Sequence, residues 1–188
     1  SWDIPLLETQ NESADTNLYG DKYPPSSEHP FTIYGTFADV EEKWRKYFSN
    51  PLYPEEDYSD LAQLFTVFNA DSAYFEKHVF DIIDRDNFYA WYVQQVLSNS
   101  YAQDMMHNIR LYFDKEVGTF RLIPVQVVTS PDAEGIIVRG NNLIADRIIN
   151  IPEFREEAER RLWAYVSDPK NLEDDLAFYP ICRCIHMQ

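Results

Sequence analysis

The stretch from Asp84 to Val128 constrains this chain most, because its side-chain period changes partway along. Phe88, Trp91, Tyr92, Gln95 and Val96 recur at helical spacing. Asp84, Asp86 and Asn87 stand just ahead of them, where short acceptor side chains cap a helix N-terminus. After His107 and Asn108 the period falls to two, with Ile109, Leu111 and Phe113 on one face and Arg110 and Tyr112 on the other. Asp114 to Gly118 supplies a turn, and Phe120 to Val128 reads as the returning strand. The expectation is a helix, a polar connection and a β-hairpin.

The chain before and after this unit reads as helical. Residues 1–37 read as an irregular wrap, or the remnant of an upstream lobe, with room for one short strand, since Pro5, Pro24, Pro25 and Pro30 interrupt any helix. Asp39 begins an expected helix to about Phe48, with Val40, Trp44, Tyr47 and Phe48 on one face, and Asn50-Pro51 ends it. A second helix spans Ser59 to Phe68 and buries Leu61, Leu64, Phe65 and Phe68. A third starts at Asp71, with Tyr74, Phe75, Val79, Ile82 and Ile83 inward. A loop from Thr129 to about Gly140 precedes a helix from Asn141 or Asn142 to Ile149. Pro152 then suits a first helical turn, and the helix to Val166 buries Phe154, Ala158, Leu162, Trp163 and Val166. Asp168-Pro169 stops it, and a last helix covers about Asn171 to Phe178. The fold class is mainly α (α+β), with one β-hairpin, and the main domain covers residues 38–179, followed by a tail at 180–188.

Composition narrows the partners. Sixteen basic against thirty-two acidic side chains give a formal charge of −16, which disfavours nucleic acid and anionic membrane surfaces. The same charge suits a basic protein or peptide partner. Twelve Phe, thirteen Tyr and four Trp are enough to build a substantial core. No run approaches the ~20 apolar residues of a membrane span. Cys182, Cys184 and His186 form a C-x-C-x-H tail, which has two readings: a metal-binding cluster short of its fourth ligand, or two thiols on a frayed end. The sequence has no G-x-S-x-G, H-E-x-x-H, P-loop or G-x-G-x-x-G pattern.

Joined in order, four phrases of the chain resemble the spore-coat CotH kinase family. They are Asp84-Arg85-Asp86-Asn87-Phe88, His107-Asn108-Ile109-Arg110-Leu111-Tyr112, Phe120-Arg121-Leu122-Ile123-Pro124 and Ile149-Asn150-Ile151-Pro152-Glu153-Phe154-Arg155. Their order and spacing together are more specific than any one of them. The resemblance spans about Phe31 to Phe178 and is to a C-terminal lobe. It implies an atypical protein-kinase-like fold, Mg²⁺ and ATP as cofactors, and serine phosphorylation of a protein substrate. It also implies an extracellular, spore-coat or envelope-associated location. By the same resemblance Asp104 is the candidate catalytic-loop aspartate, Asn108 a nucleotide-side residue that holds metal, and Gln126 a nucleotide-side residue at the main metal position.

Two departures bear on activity. Where the family reads Pro-Trp-Asp, this chain reads Pro124-Val125-Gln126, and a neutral amide is a far poorer Mg²⁺ ligand than a carboxylate. Losing that charge removes most metal-assisted stabilisation of a transferring phosphoryl group. In addition, the sequence upstream of Phe31 is too short for a five-stranded N-terminal lobe. The expectation is therefore a degenerate, pseudokinase-like binding or scaffold module, with an active Mg-ATP-dependent serine kinase and an acidic surface-structural module as alternatives. Each residue also has a plainer role: Asn108 as a turn former beside a strand, Asp104 as a solvated loop acid, His107 as a structural histidine, Asp84 and Asp86 as helix caps.

Overall fold

The computed structural model describes residues 18–21, 44–46, 58–100, 103, 109–124 and 142–175. Strands β1 (Leu18–Asp21) and β2 (Trp44–Lys46) come first. Helices α1 (Ser59–Asn69), α2 (Ser72–Ile82) and α3 (Arg85–Ser98) follow. The hairpin strands β3 (Arg110–Asp114) and β4 (Thr119–Leu122) lead to α4 (Leu143–Ile149) and α5 (Pro152–Ser167). A short helical segment, α6, covers residues 169–175. Most described residues are helical, and the mainly α, α+β class is the observed one.

The hairpin does not stand alone. It belongs to a four-stranded antiparallel sheet in the order β2-β1-β3-β4. Strand β1 is the short strand expected in the N-terminal wrap. Strand β2 corrects the helix expected from Asp39 to Phe48: Trp44 and Lys46 pair with Asp21 and Tyr19. Ladder hydrogen bonds to a distant strand override a short run of helix-like spacing. The returning strand is also shorter than expected, ending at Leu122, with Ile123 and Pro124 outside it and residues 125–141 outside the described set.

The hairpin turn is made by its own side chain. Asp114 Oδ1 accepts from the amides of Glu116 (3.1 Å) and Val117 (3.3 Å), and Gly118 sits at φ +80°, where glycine has no steric penalty. Register then sets Leu111 opposite Leu122 and Phe113 opposite Phe120, with the two phenyl rings 4.8 Å apart. Ile109, Leu111 and Phe113 are buried while Tyr112 is exposed, as the period-two pattern predicts.

The helices pack against this buried face. Asp71 caps α2 by accepting from Tyr74 N (2.9 Å), and Asp84 caps α3 by accepting from Asn87 N (3.0 Å). Between those helices Ile83 is fully buried and bridges to Phe120, and Asp84 N donates to Phe120 O (2.8 Å). The link from α2 to α3 is thus stitched to β4. Phe68 meets Phe75 edge-on at 5.0 Å, and Phe88 packs among Phe80, Tyr89, Trp91 and Tyr92. Each such fully buried ring stabilises the fold by about 1.5–3 kcal/mol relative to exposure.

Three positions depart from the expected core. Tyr74 is exposed on α2. Trp163 is 72% exposed and Val166 51% exposed near the end of α5. The apolar stripe holds for Phe154, which lies 4.9 Å edge-on from Phe80, for Ala158, which is buried, and for Leu162, which is half-buried. Beyond Leu162 the helix runs past its supporting surface. Asp168-Pro169 ends α5 as expected, and the last helix starts two residues earlier than expected, at Pro169, with Asp168 Oδ1 accepting from Lys170 N (2.9 Å). No described helix is long and apolar enough to cross a membrane.

Candidate functional site

The phrases at 84–88 and 120–124, with the described part of the phrase at 107–112 from Ile109, meet where α3 packs on the hairpin, while the phrase at 149–155 lies apart at the junction of α4 and α5. Asp84 caps α3 and also accepts from Arg121 Nε (3.0 Å), whose guanidinium reaches Asp114 at 3.4 Å. One arginine therefore neutralises the cap of a helix and the turn acid of the hairpin. Asn87 acts as an extra strand residue: its Oδ1 accepts from Leu122 N (2.7 Å) and its Nδ2 donates to Leu122 O (3.2 Å). Phe88, one residue on, is fully buried. Asp86 does not cap; it pairs with Arg161 of α5 at 2.7 Å.

Beyond α3 a buried polar network takes over. Asn99 ends the helix in the left-handed region at φ 47°, a conformation asparagine tolerates. Gln103 is 2% exposed, and its side-chain amide makes three hydrogen bonds. Its Oε1 accepts from Trp91 Nε1 (3.0 Å) and Gln95 Nε2 (3.1 Å), while its Nε2 donates to Ile123 O (2.8 Å). Its backbone carbonyl accepts from Asn142 Nδ2 (3.0 Å). Asn142 is fully buried and caps α4, its Oδ1 accepting from Ala145 N (3.0 Å). Ile123 N in turn donates to Arg110 O (3.0 Å).

Asp104, Asn108 and Gln126 themselves lie outside the described residues, as do His107, Cys182, Cys184 and His186. Their described flanks do meet. Gln103 precedes Asp104, Ile109 follows Asn108, and Ile123-Pro124 leads toward Gln126. Gln103, Ile123 and Arg110 are joined by two consecutive hydrogen bonds. Gln95 Oε1 and Ser100 Oγ, in the same region, are buried without a hydrogen-bond partner. Such unmet capacity in a buried network is costly for stability and clusters at working sites. Sequence reading missed Gln103 and the bridging role of Asn142. The available signal was an amide, Gln95, standing four residues after Trp91 on an otherwise apolar helix face.

A second polar feature lies where α2, α4 and α5 converge. An open groove of about 550 Å³ is lined by Ser72, Phe75, Asp146, Arg147, Asn150 and Pro152, among others. Arg147 donates to the carbonyls of Phe68 and Ala70 at the end of α1, with its guanidinium 4.3 Å from the Phe75 ring centroid. A cation at a helix C-terminus is stabilised by the exposed carbonyls there. Burial pushes the Asp146 carboxyl up to about 6. On α5, hydrogen bonds from Arg160 and Arg161 lower Glu157 to about 2. Arg161 also covers the fully buried Tyr89 ring at 4.7 Å, and burial raises the Tyr89 hydroxyl above its usual range.

An antiparallel sheet packed against a helical layer, with a buried amide hub between them, is a mainly α, α+β arrangement of the class that the sequence suggested. A family model described as CotH kinase protein matches residues 2–169, and the chain belongs to that family. The match covers most of the chain and begins upstream of Phe31, the first residue of the resemblance read from the sequence. A comparison with curated proteins finds no match.

The family implies ATP and a metal in general. Among the described residues no group of three or more His, Cys, Asp or Glu side chains is placed to hold a metal ion. The sequence offers Asn108 and Gln126, two neutral amides, with Asp104 as the only acid among the three candidates. Mg²⁺ takes hard anionic oxygens to offset its dehydration, which neutral amides do not supply.

Proposed function

We propose that this chain is a degenerate member of the CotH kinase family, a pseudokinase-like binding or scaffold module. The observation that carries this reading is Gln126 in place of the metal-binding carboxylate, in the phrase Pro124-Val125-Gln126. The surrounding frame supports it from the other side. Asp84, Asn87, Phe88 and Phe120 are all engaged in holding the helix to the hairpin, so two of the four family phrases are accounted for as architecture. A lobe that keeps its frame and has lost its metal carboxylate is suited to binding a partner, with or without nucleotide. Its acidic charge favours a basic protein partner.

The test is thermal unfolding of the chain with and without ATP, each in Mg²⁺ or in EDTA. A ligand at a hundred times its dissociation constant adds about 2.7 kcal/mol of stability, a visible shift for a domain of this size. The degenerate reading expects a shift independent of Mg²⁺, or none. A shift that requires Mg²⁺ and disappears in Asn108→Ala overturns it in favour of an active serine kinase.

A further inference from the structure

The hub contains a residue whose chemistry exceeds what packing requires. Gln103 fills its site with an amide that accepts twice and donates once through the side chain, and accepts once more through its backbone. Filling the same volume with an apolar side chain avoids the cost of desolvating that amide. What the amide provides instead is connection. Its partners Trp91, Ile123 and Asn142 are 12, 20 and 39 residues away in sequence, on three different parts of the fold. Ile123 is where the chain leaves β4, and Asn142 is where it enters α4. Asn142 cannot swing away freely, since its Oδ1 is committed to the α4 cap.

We propose that Gln103 is a positioning residue of the candidate site: it locks the exit of β4, the entry of α4 and the end of α3 into one arrangement, so that none shifts without the others. Its use in ligand binding rests on the family-site reading above. The coupling between the three anchors does not.

The substitution that discriminates is Gln103→Glu. An ionised carboxylate still accepts from Trp91 and Gln95 but cannot donate to Ile123 O. A protonated one regains the donor. The full chain and this variant are compared at about pH 9 and about pH 5, on either side of the range in which a buried glutamate titrates. Three readouts are taken: the Trp91 indole N–H resonance, amide exchange at Ile123 and Ala145, and the melting shift given by ATP in EDTA.

At the higher pH, exchange at Ile123 and at Ala145 is expected to rise together relative to wild type. The expected factor is about fivefold, as for loss of one hydrogen bond in a local opening. Amides of α1 stay unchanged, and the Trp91 resonance remains that of a bound indole. At the lower pH both amides return to wild-type protection. A rise at Ile123 with none at Ala145 overturns the proposal and makes Gln103 a local packing residue. So does a loss of protection that ignores pH. Gln103→Leu is the companion, expected to free both amides at either pH and to shift the Trp91 indole. If wild type itself shows no ATP shift, the nucleotide part of the family-site reading falls, while the two amides still decide the coupling.

Discussion

The hub around α3 and the arm formed by α5 and α6 hold themselves together by opposite means. In the hub, Asn87, Gln103 and Asn142 place amides in or at the edge of the core and satisfy them through backbone groups of distant segments. On the arm, charged pairs lie at the surface: Arg160 with Glu157, Lys170 with Asp174, and Arg161 bridging to Asp86. Its large apolar side chains Trp163, Val166 and Leu172 are exposed. Buried polar bonds are expensive to break because the orphaned partner cannot turn to water, whereas exposed ion pairs lose little. The hub therefore fixes geometry, and the arm beyond Leu162 can change with small effect on the fold.

The largest expected effect comes from Asn87→Ala. It removes both bonds to Leu122 and leaves that residue's N–H and C=O without the amide that served them, at a cost of about 1–3 kcal/mol in urea unfolding. Asn87→Asp keeps the acceptor for Leu122 N and loses only the donor, so its cost falls between wild type and Ala. If Asn87→Ala proves neutral, the hub is no stiffer than the arm and the contrast fails.

Asp146 sharpens the contrast, since it lies between the two regions in the groove at the start of α5. Its carboxyl is raised from 3.8 to about 6 by burial. A raised carboxyl binds its proton more tightly in the folded state. Ionised Asp146 therefore costs stability above about 6, and the cost fades as pH falls from there toward 3.8. Asp146→Asn is expected to stabilise the chain above neutrality by about 1 kcal/mol, a figure reduced for the group's partial exposure. It also removes a negative slope of stability with pH across that window. Glu157 gives the opposite sign. Lowered from 4.5 to about 2 by Arg160 and Arg161, it contributes stability above 4.5 that is lost as pH falls through about 2. Unfolding measured across the acid range separates the two: Glu157→Gln flattens the slope between 4.5 and about 2, and Asp146→Asn flattens the opposite slope between about 6 and 3.8.

How far the sequence foretold this depends on whether a signal was local. Helices α1 to α3 were legible because their caps and stripes lie within one turn of each other, as with Asp71 and Tyr74. Strand β2 was not, because what makes Trp44 to Lys46 extended is β1, more than twenty residues upstream in the chain. The site divides in the same way. The phrases containing Asp84, Asn108 and Gln126 could be read in order along the chain. The bridge from Gln103 to Asn142 could not, since a glutamine in a polar run looks like any loop residue until its partners are in place.

The smallest expected effect tests the arm directly. Leu162 and Trp163 continue the spacing set by Phe154 and Ala158, which is why a buried stripe through Val166 was expected. A helix keeps its period whether or not a neighbour is present, so spacing alone cannot show where support ends. With 72% of its surface exposed, Trp163 removes little apolar area from water on folding. Trp163→Ala is therefore expected to change unfolding stability by no more than about 0.5 kcal/mol, against about 3–5 kcal/mol for a tryptophan truncated in a core. A loss of core size at this position would mean that the end of α5 is covered in solution, and the arm would then belong with the hub.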